Sequence, residues 1–213
     1  MIEATTTQER YSRAVNTSNM RVQADVRNDT DTLIAVGWCK SKFGAALMRL
    51  QAEWDGAERW GIKVPLKPTK RAIQAEAQIA MKGGVRRITT QSMEAAHAKL
   101  TRYYEGEMRK LGVALKSLPE VKRQLQIKLL LDGKDAELAE PLLLYWLDPV
   151  CKVCAGQKYQ RIPGTVKLSE RACGSCKGDG VIQPPFGDAG RAVLEFVESC
   201  AADAQSSVRK RNA

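Results

Sequence analysis

Cys151-Lys152-Val153-Cys154-Ala155-Gly156 and Cys173-Gly174-Ser175-Cys176-Lys177-Gly178-Asp179-Gly180 are two Cys-x-x-Cys units with 18 residues between them. This spacing matches four-cysteine metal sites, because a two-residue gap lets both sulfurs of a tight turn reach one ion at about 2.3 Å. The glycine two places past each pair, Gly156 and Gly178, suits a bend with positive φ that brings amide N–H groups toward the sulfurs. The expected ligands are Cys151, Cys154, Cys173 and Cys176, and the expected ion is one structural Zn²⁺. Four thiolates close the tetrahedron and leave no position for water or substrate, which argues for structure and against catalysis. The competing reading is two unrelated pairs of free thiols.

Moving outward, four thiolates around Zn²⁺ leave a net negative charge that Lys152, Lys158, Arg171 and Lys177 are placed to offset. The loop between the pairs carries Lys158, Arg161, Lys167 and Arg171 beside Tyr159. A basic patch holding an aromatic suits phosphate contact; plain charge compensation is the alternative. His97 is the only histidine, and Cys39 and Cys200 sit among apolar positions as small buried hydrophobes.

The whole chain has 213 residues, a net charge of +10 and a pI near 9.4, a balance that favours a polyanionic partner. Residues 40–134 hold 20 basic and 9 acidic groups, and 151–186 hold 6 and 2, separated by an acidic stretch at 135–150. The opening Met1-Ile2-Glu3-Ala4-Thr5 is polar and acidic, unlike a leader, and the apolar run Leu142–Leu147 is too short for a bilayer. The expectation is a protein without a membrane partner, in the cytoplasm, where paired Cys-x-x-Cys units are metal ligands rather than disulfides. No P-loop, serine triad or motif-spaced carboxylate pair is present, so nothing points to an enzyme.

The fold class expected is mainly α: a helical domain, an inserted four-cysteine zinc ribbon and a short C-terminal helical segment. Residues 1–30, rich in Thr, Asn, Ser and Arg, read as a flexible arm. The helical domain spans 31–150. Leu33, Val36, Phe43, Leu47, Leu50 and Trp54 form one amphipathic stripe, capped near Thr30 or Asp31. Gly61 with Pro65 and Pro68 breaks the chain before a helix over 70–82 that uses Ile73, Ala77 and Met81 and stops at Gly83-Gly84. Met93, Ala96, Leu100, Tyr104, Met108 and Leu111 make a third stripe, ended by Gly112. Ser117-Leu118-Pro119-Glu120 has capping-box spacing and opens the next helix, running to Gly133. Pro141 and Pro149 bracket a short apolar helix. The ribbon takes 151–183. Over 184–213 a helix capped by Asp188 uses Val193, Phe196, Val197 and Cys200. Trp38, Trp54, Trp60 and Trp146 are expected in the core, and Lys70-Arg71 and Arg86-Arg87 either solvated or touching nucleic acid.

Thr30-Asp31-Thr32-Leu33-Ile34-Ala35-Val36-Gly37-Trp38-Cys39-Lys40-Ser41-Lys42-Phe43-Gly44, the two cysteine units and Gly190-Arg191-Ala192-Val193 together resemble the Q antitermination proteins of lambda-type phages. The likeness is patchy and spans about 30 to 200; the first unit has Lys158 where the pattern ends in glycine. The same unit also occurs in the zinc domain of DnaJ-type chaperones, which carry four copies. The resemblance implies a non-enzymatic factor in the host bacterial cytoplasm. It would bind promoter DNA and host RNA polymerase with its sigma factor at a promoter-proximal pause, then suppress pausing and termination. Nascent RNA is a further candidate partner. With Arg191 from the matched segment, the candidate nucleic-acid contacts are Lys152, Lys158, Arg161, Lys167, Arg171, Lys177 and Arg191. The short stretch after the ribbon leaves a full helix-turn-helix in question. The alternative function is a zinc-dependent protein-interaction or chaperone-like module.

Overall fold

The computed structural model describes residues 6–17, 29–79, 88–162, 165 and 167–211, and for Asp29, Ile79 and Arg161 the backbone alone. Eight α-helices account for most of these residues: α1 Thr7–Asn16, α2 Asp29–Gly37, α3 Lys42–Arg59, α4 Lys70–Ile79, α5 Thr90–Ala114, α6 Leu118–Leu131, α7 Ala139–Leu147 and α8 Gly187–Arg211. The two strands, β1 Tyr159–Arg161 and β2 Leu168–Ala172, both lie within the cysteine segment. The mainly α class and the inserted ribbon thus stand as expected.

The helical domain expected over 31–150 is divided: the chain forms two units, residues 1–56 with 117–213, and 57–116. In the first, Tyr11, Ala35, Val36, Cys39, Met48, Ala52, Ala204 and Val208 share one core, joining α1, α2, α3 and α8. Leu118, Val121, Leu125 and Leu129 bury one face of α6, which packs on α7, and α7 packs on α8. Gly44 lets α3 and α8 approach closely, since a Cβ there would run into the carbonyl oxygen of Cys200. Beside it Phe43 stacks on Phe196 at 5.9 Å, and the Lys128 ammonium sits 5.4 Å from the Phe196 ring centre.

Several expectations change here. Residues 7–16 are not a flexible arm but α1, opened by a capping box between Thr6 and Glu9. Its inner face is half polar. Gln8 donates to the Met48 carbonyl at 3.2 Å, Ser12 to the Asp55 carboxylate, and Asn16 to the Ala52 carbonyl at 3.2 Å. Of the rest of the expected arm, residues 1–5 and 18–28 lie outside the described residues. The stripe from Leu33 to Trp54 belongs to two helices, because the chain leaves α2 at Gly37 and Ser41 caps α3 by accepting the Gly44 amide at 3.0 Å. The C-terminal segment is a 25-residue helix whose Val193, Val197, Ala204 and Val208 are buried, so it is part of the bundle rather than a separate piece.

The second unit pairs α4 with α5 around Ile73, Ala77 and Ala96, with Met93 and Leu100 against them. Lys99 meets Glu76 at 2.5 Å. Gly112 does not end α5, which runs on to Ala114; the helix's hydrogen bonds hold it through a weak former. Ser117 is the N-cap of α6 without the expected box, because its amide and hydroxyl both donate to Glu53, at 2.9 and 2.7 Å, while Glu120 pairs with Arg123. Met81, Gly83-Gly84 and Arg86-Arg87 lie outside the described residues. Among the described residues, no helix is long and apolar enough to cross a membrane.

Candidate metal centre

α7 delivers the chain to the cysteine segment, and α8 takes it away. The crossing point is a bridge between Val150 and Val181, reinforced by the Ile182 amide donating to the Pro149 carbonyl at 3.0 Å. Tyr145 of α7 donates its hydroxyl to the Ile182 carbonyl at 2.8 Å, and burial raises its phenol above the ordinary tyrosine range. Entry and exit are therefore neighbours.

Inside this closure the four cysteines are buried, and their sulfurs all lie within 4.8 Å of one another. Cys154 and Cys176 approach to 3.6 Å, and Cys151 and Cys173 to 4.0 Å. These values straddle ~3.8 Å, the sulfur–sulfur edge of a tetrahedron with Zn–S bonds of ~2.3 Å. The group could hold one metal ion, and an ion held by all four thiolates has no open position.

The two units fold as near copies. After Cys154, positive φ falls at Ala155, Gly156 and Lys158, at 50°, 80° and 69°. After Cys176 it falls at the matching positions Lys177, Gly178 and Gly180, at 53°, 96° and 79°. Gln157 and Asp179 each donate an amide to the second cysteine carbonyl of their own unit at 3.0 Å. The units are also cross-linked: the Cys173 amide donates to the Lys158 carbonyl at 2.8 Å, and the Cys151 amide to the Gly180 carbonyl at 2.9 Å. Lys158 thus holds by strain the left-handed position that Gly180 holds freely.

Backbone amides favour thiolates here. The amide of Cys154 is the largest influence holding the Cys151 thiol down at about 6, against the opposing effect of burial. Burial, the main influence on Cys154, pushes that thiol up to about 11. Burial also opposes ionisation of Cys176, but the Gly180 and Gly178 amides bring it below the ordinary thiol value. The glycines two places past each pair, Gly156 and Gly178, have the positive φ expected of them, and the Gly180 amide lies 3.3 Å from the Cys176 sulfur.

Beyond the sulfurs, β1 and β2 pair antiparallel, Tyr159 with Ala172 and Arg161 with Leu168, leaving extra residues bulged on β2. Ser169 accepts the Arg171 amide at 3.3 Å within that bulge. Lys158, Lys167, Arg171 and Lys177 are all exposed around the site, with Tyr159 among them. Lys152 is different: it is half-buried and paired with Asp148. Arg191 pairs with Asp188 one helical turn away on α8. Each of these two cations thus already has a carboxylate beside it. The Arg161 side chain lies outside the described residues. The sequence shows Lys158 standing where the pattern ends in glycine; the shared left-handed backbone and the crossed hydrogen bonds of Lys158 and Gly180 are what the structure adds. No protein family, curated sequence or solved structure matches the chain.

Proposed function

We propose that the chain is a phage late-gene transcription antiterminator, not an enzyme, which binds promoter DNA and host RNA polymerase with its sigma factor, and that its thiol cluster holds one structural Zn²⁺. The observation that carries the nucleic-acid reading is that Lys158, Lys167, Arg171 and Lys177, on the segment that holds the four-cysteine group, are all exposed. A four-thiolate Zn²⁺ site is doubly negative, and residues 151–186, with six basic and two acidic groups, stay net positive even with that charge counted. The step to antitermination rests on the resemblance carried by Thr30–Gly44, the two cysteine units and Gly190–Val193. Such a factor is loaded at one element and then travels with polymerase, suppressing pausing and termination, in contact with emerging RNA as well as protein.

Single-round transcription tests this. The protein raises readthrough of a terminator placed after its own late promoter, and not after a promoter whose recognition element is replaced. Equal readthrough on both templates leaves a general polymerase- or RNA-binding protein. A second reading, a zinc-dependent protein-interaction or chaperone-like module, is favoured by exposed Val153, Ile162 and Leu168 on the same segment. DNA affinity with a steep salt slope separates the first reading from the second.

A further inference from the structure

Trp60 is 88% exposed, the largest exposure among the apolar side chains described, where the sequence placed it in the core. It is not loose. The Gly61 amide donates to the Glu58 carbonyl at 2.8 Å and the Ile62 amide to the Ala57 carbonyl at 3.1 Å, with Gly61 at φ +76°. This Schellman motif ends α3 with Trp60 at its C-cap, fixing the backbone that bears the indole.

The chain then runs from 62 to 69 with neither helix nor strand. Pro65 and Pro68 lock their own φ, and each forces the residue before it, Val64 or Lys67, into extended conformation. At about 3.1 Å per residue, Lys63 and Lys67 stand on the order of 12 Å apart along this strap. Between Glu58 and Glu76 the sequence has Arg59, Lys63, Lys67, Lys70 and Arg71 and no acidic residue. All five are exposed, and none is ion-paired among the described residues. Lys70 and Arg71 also open α4, whose first turn has no acidic residue, so their charge adds to the helix N-terminus instead of neutralising it.

We infer that this strap is a second nucleic-acid site, one that binds a single strand by stacking a base on Trp60 and tracking its phosphates with Lys63, Lys67, Lys70 and Arg71. The geometry selects against a duplex. Paired and stacked bases hide their faces, and an indole on an open surface has then nothing to stack on. A single strand offers both a face and a flexible backbone. The site is separate in sequence from the four-cysteine segment and does not depend on its metal.

Fluorescence anisotropy of labelled 15-mer oligo-U and oligo-dT on the full-length protein tests it. Trp60→Ala weakens binding on the order of 5- to 150-fold, the range expected for removing one stacked base, and Trp60→Phe restores most of it. Lys63→Ala/Lys67→Ala makes the plot of log K against log salt shallower by about 1.4, or about 0.7 for each phosphate no longer neutralised. Either oligonucleotide bound in this way supports the site, and their ratio identifies the natural strand. Unchanged affinity in both variants overturns it. So does equal, Trp60-independent binding of polyglutamate, which would assign the strap to an acidic protein. Duplex binding by the ribbon survives both substitutions, so failure of the strap is distinguishable from failure of the promoter-binding reading.

Discussion

Lys158 and Gly180 occupy equivalent places in the two cysteine units: each sits in left-handed conformation, and each gives its carbonyl to the first cysteine of the other unit. Only one of them is a glycine. Lys158→Gly should relieve strain while leaving these hydrogen bonds in place, and thermal unfolding should leave it within about 1 kcal/mol of wild type, on the stable side. Gly180→Ala carries both a left-handed φ and a new Cβ 2.8 Å from the Gly156 carbonyl oxygen. It should lose on the order of 2 kcal/mol and weaken metal retention. Equal behaviour of the two variants would refute the equivalence.

Metal content is the most direct measurement. One Zn²⁺ per chain is expected by elemental analysis, lost in Cys154→Ser and in Cys176→Ser. Because the binding energy of structural zinc is folding energy, about 10–16 kcal/mol in zinc-finger peptides, the segment from Val150 to Val181 should lose amide protection with the metal. Full retention in either variant would reject the four-thiolate site.

The exposed cations of the ribbon have a salt signature. Lys167→Ala/Arg171→Ala should weaken duplex binding across sequences and make the log–log salt slope shallower by about 0.9 for each phosphate no longer neutralised. An unchanged slope with zinc intact means that these side chains only balance the thiolates.

Alkaline stability should report on α1. Burial, the largest influence, raises the Tyr11 phenol above its ordinary value. A group whose folded pKa is raised contributes stability that is complete below its unfolded pKa, about 10, and lost as pH rises through the folded one. Tyr11→Phe should therefore match wild type at pH 8 and lose less stability between pH 9 and 11. Parallel losses in the two proteins would show that Tyr11 does not titrate in the bundle.

The cysteine site was legible because its ligands are set by local spacing: two tight turns need only a two-residue gap and a glycine in the right place. The bundle was legible where apolar residues recur, as along Leu118, Val121, Leu125 and Leu129. It was not legible in α1, because Gln8, Ser12 and Asn16 dock through hydrogen bonds at four-residue spacing, a pattern no hydrophobic count registers. Nor could the stripe from Leu33 to Trp54 reveal its own interruption, since Ser41 restarts the helix in a phase that keeps the apolar side inward. Tryptophan is apolar enough to suggest burial anywhere, yet Trp38 is 72% exposed and Trp60 88%, the latter fixed at a helix C-cap.

Val150 and Val181 pair where the ribbon leaves the bundle, and this has a mechanical meaning. The inserted segment hangs from a single stalk, two strands wide and locked a few residues further out by four sulfurs. If the four cysteines hold an ion, a partner pulling on β1 and β2 would load that stalk and the sulfur cluster together, while α7 and α8 bear the tension at their ends. Without such an ion, the Val150–Val181 bridge and the hydrogen bonds of Ile182 to Pro149 and Tyr145 would carry the same load alone.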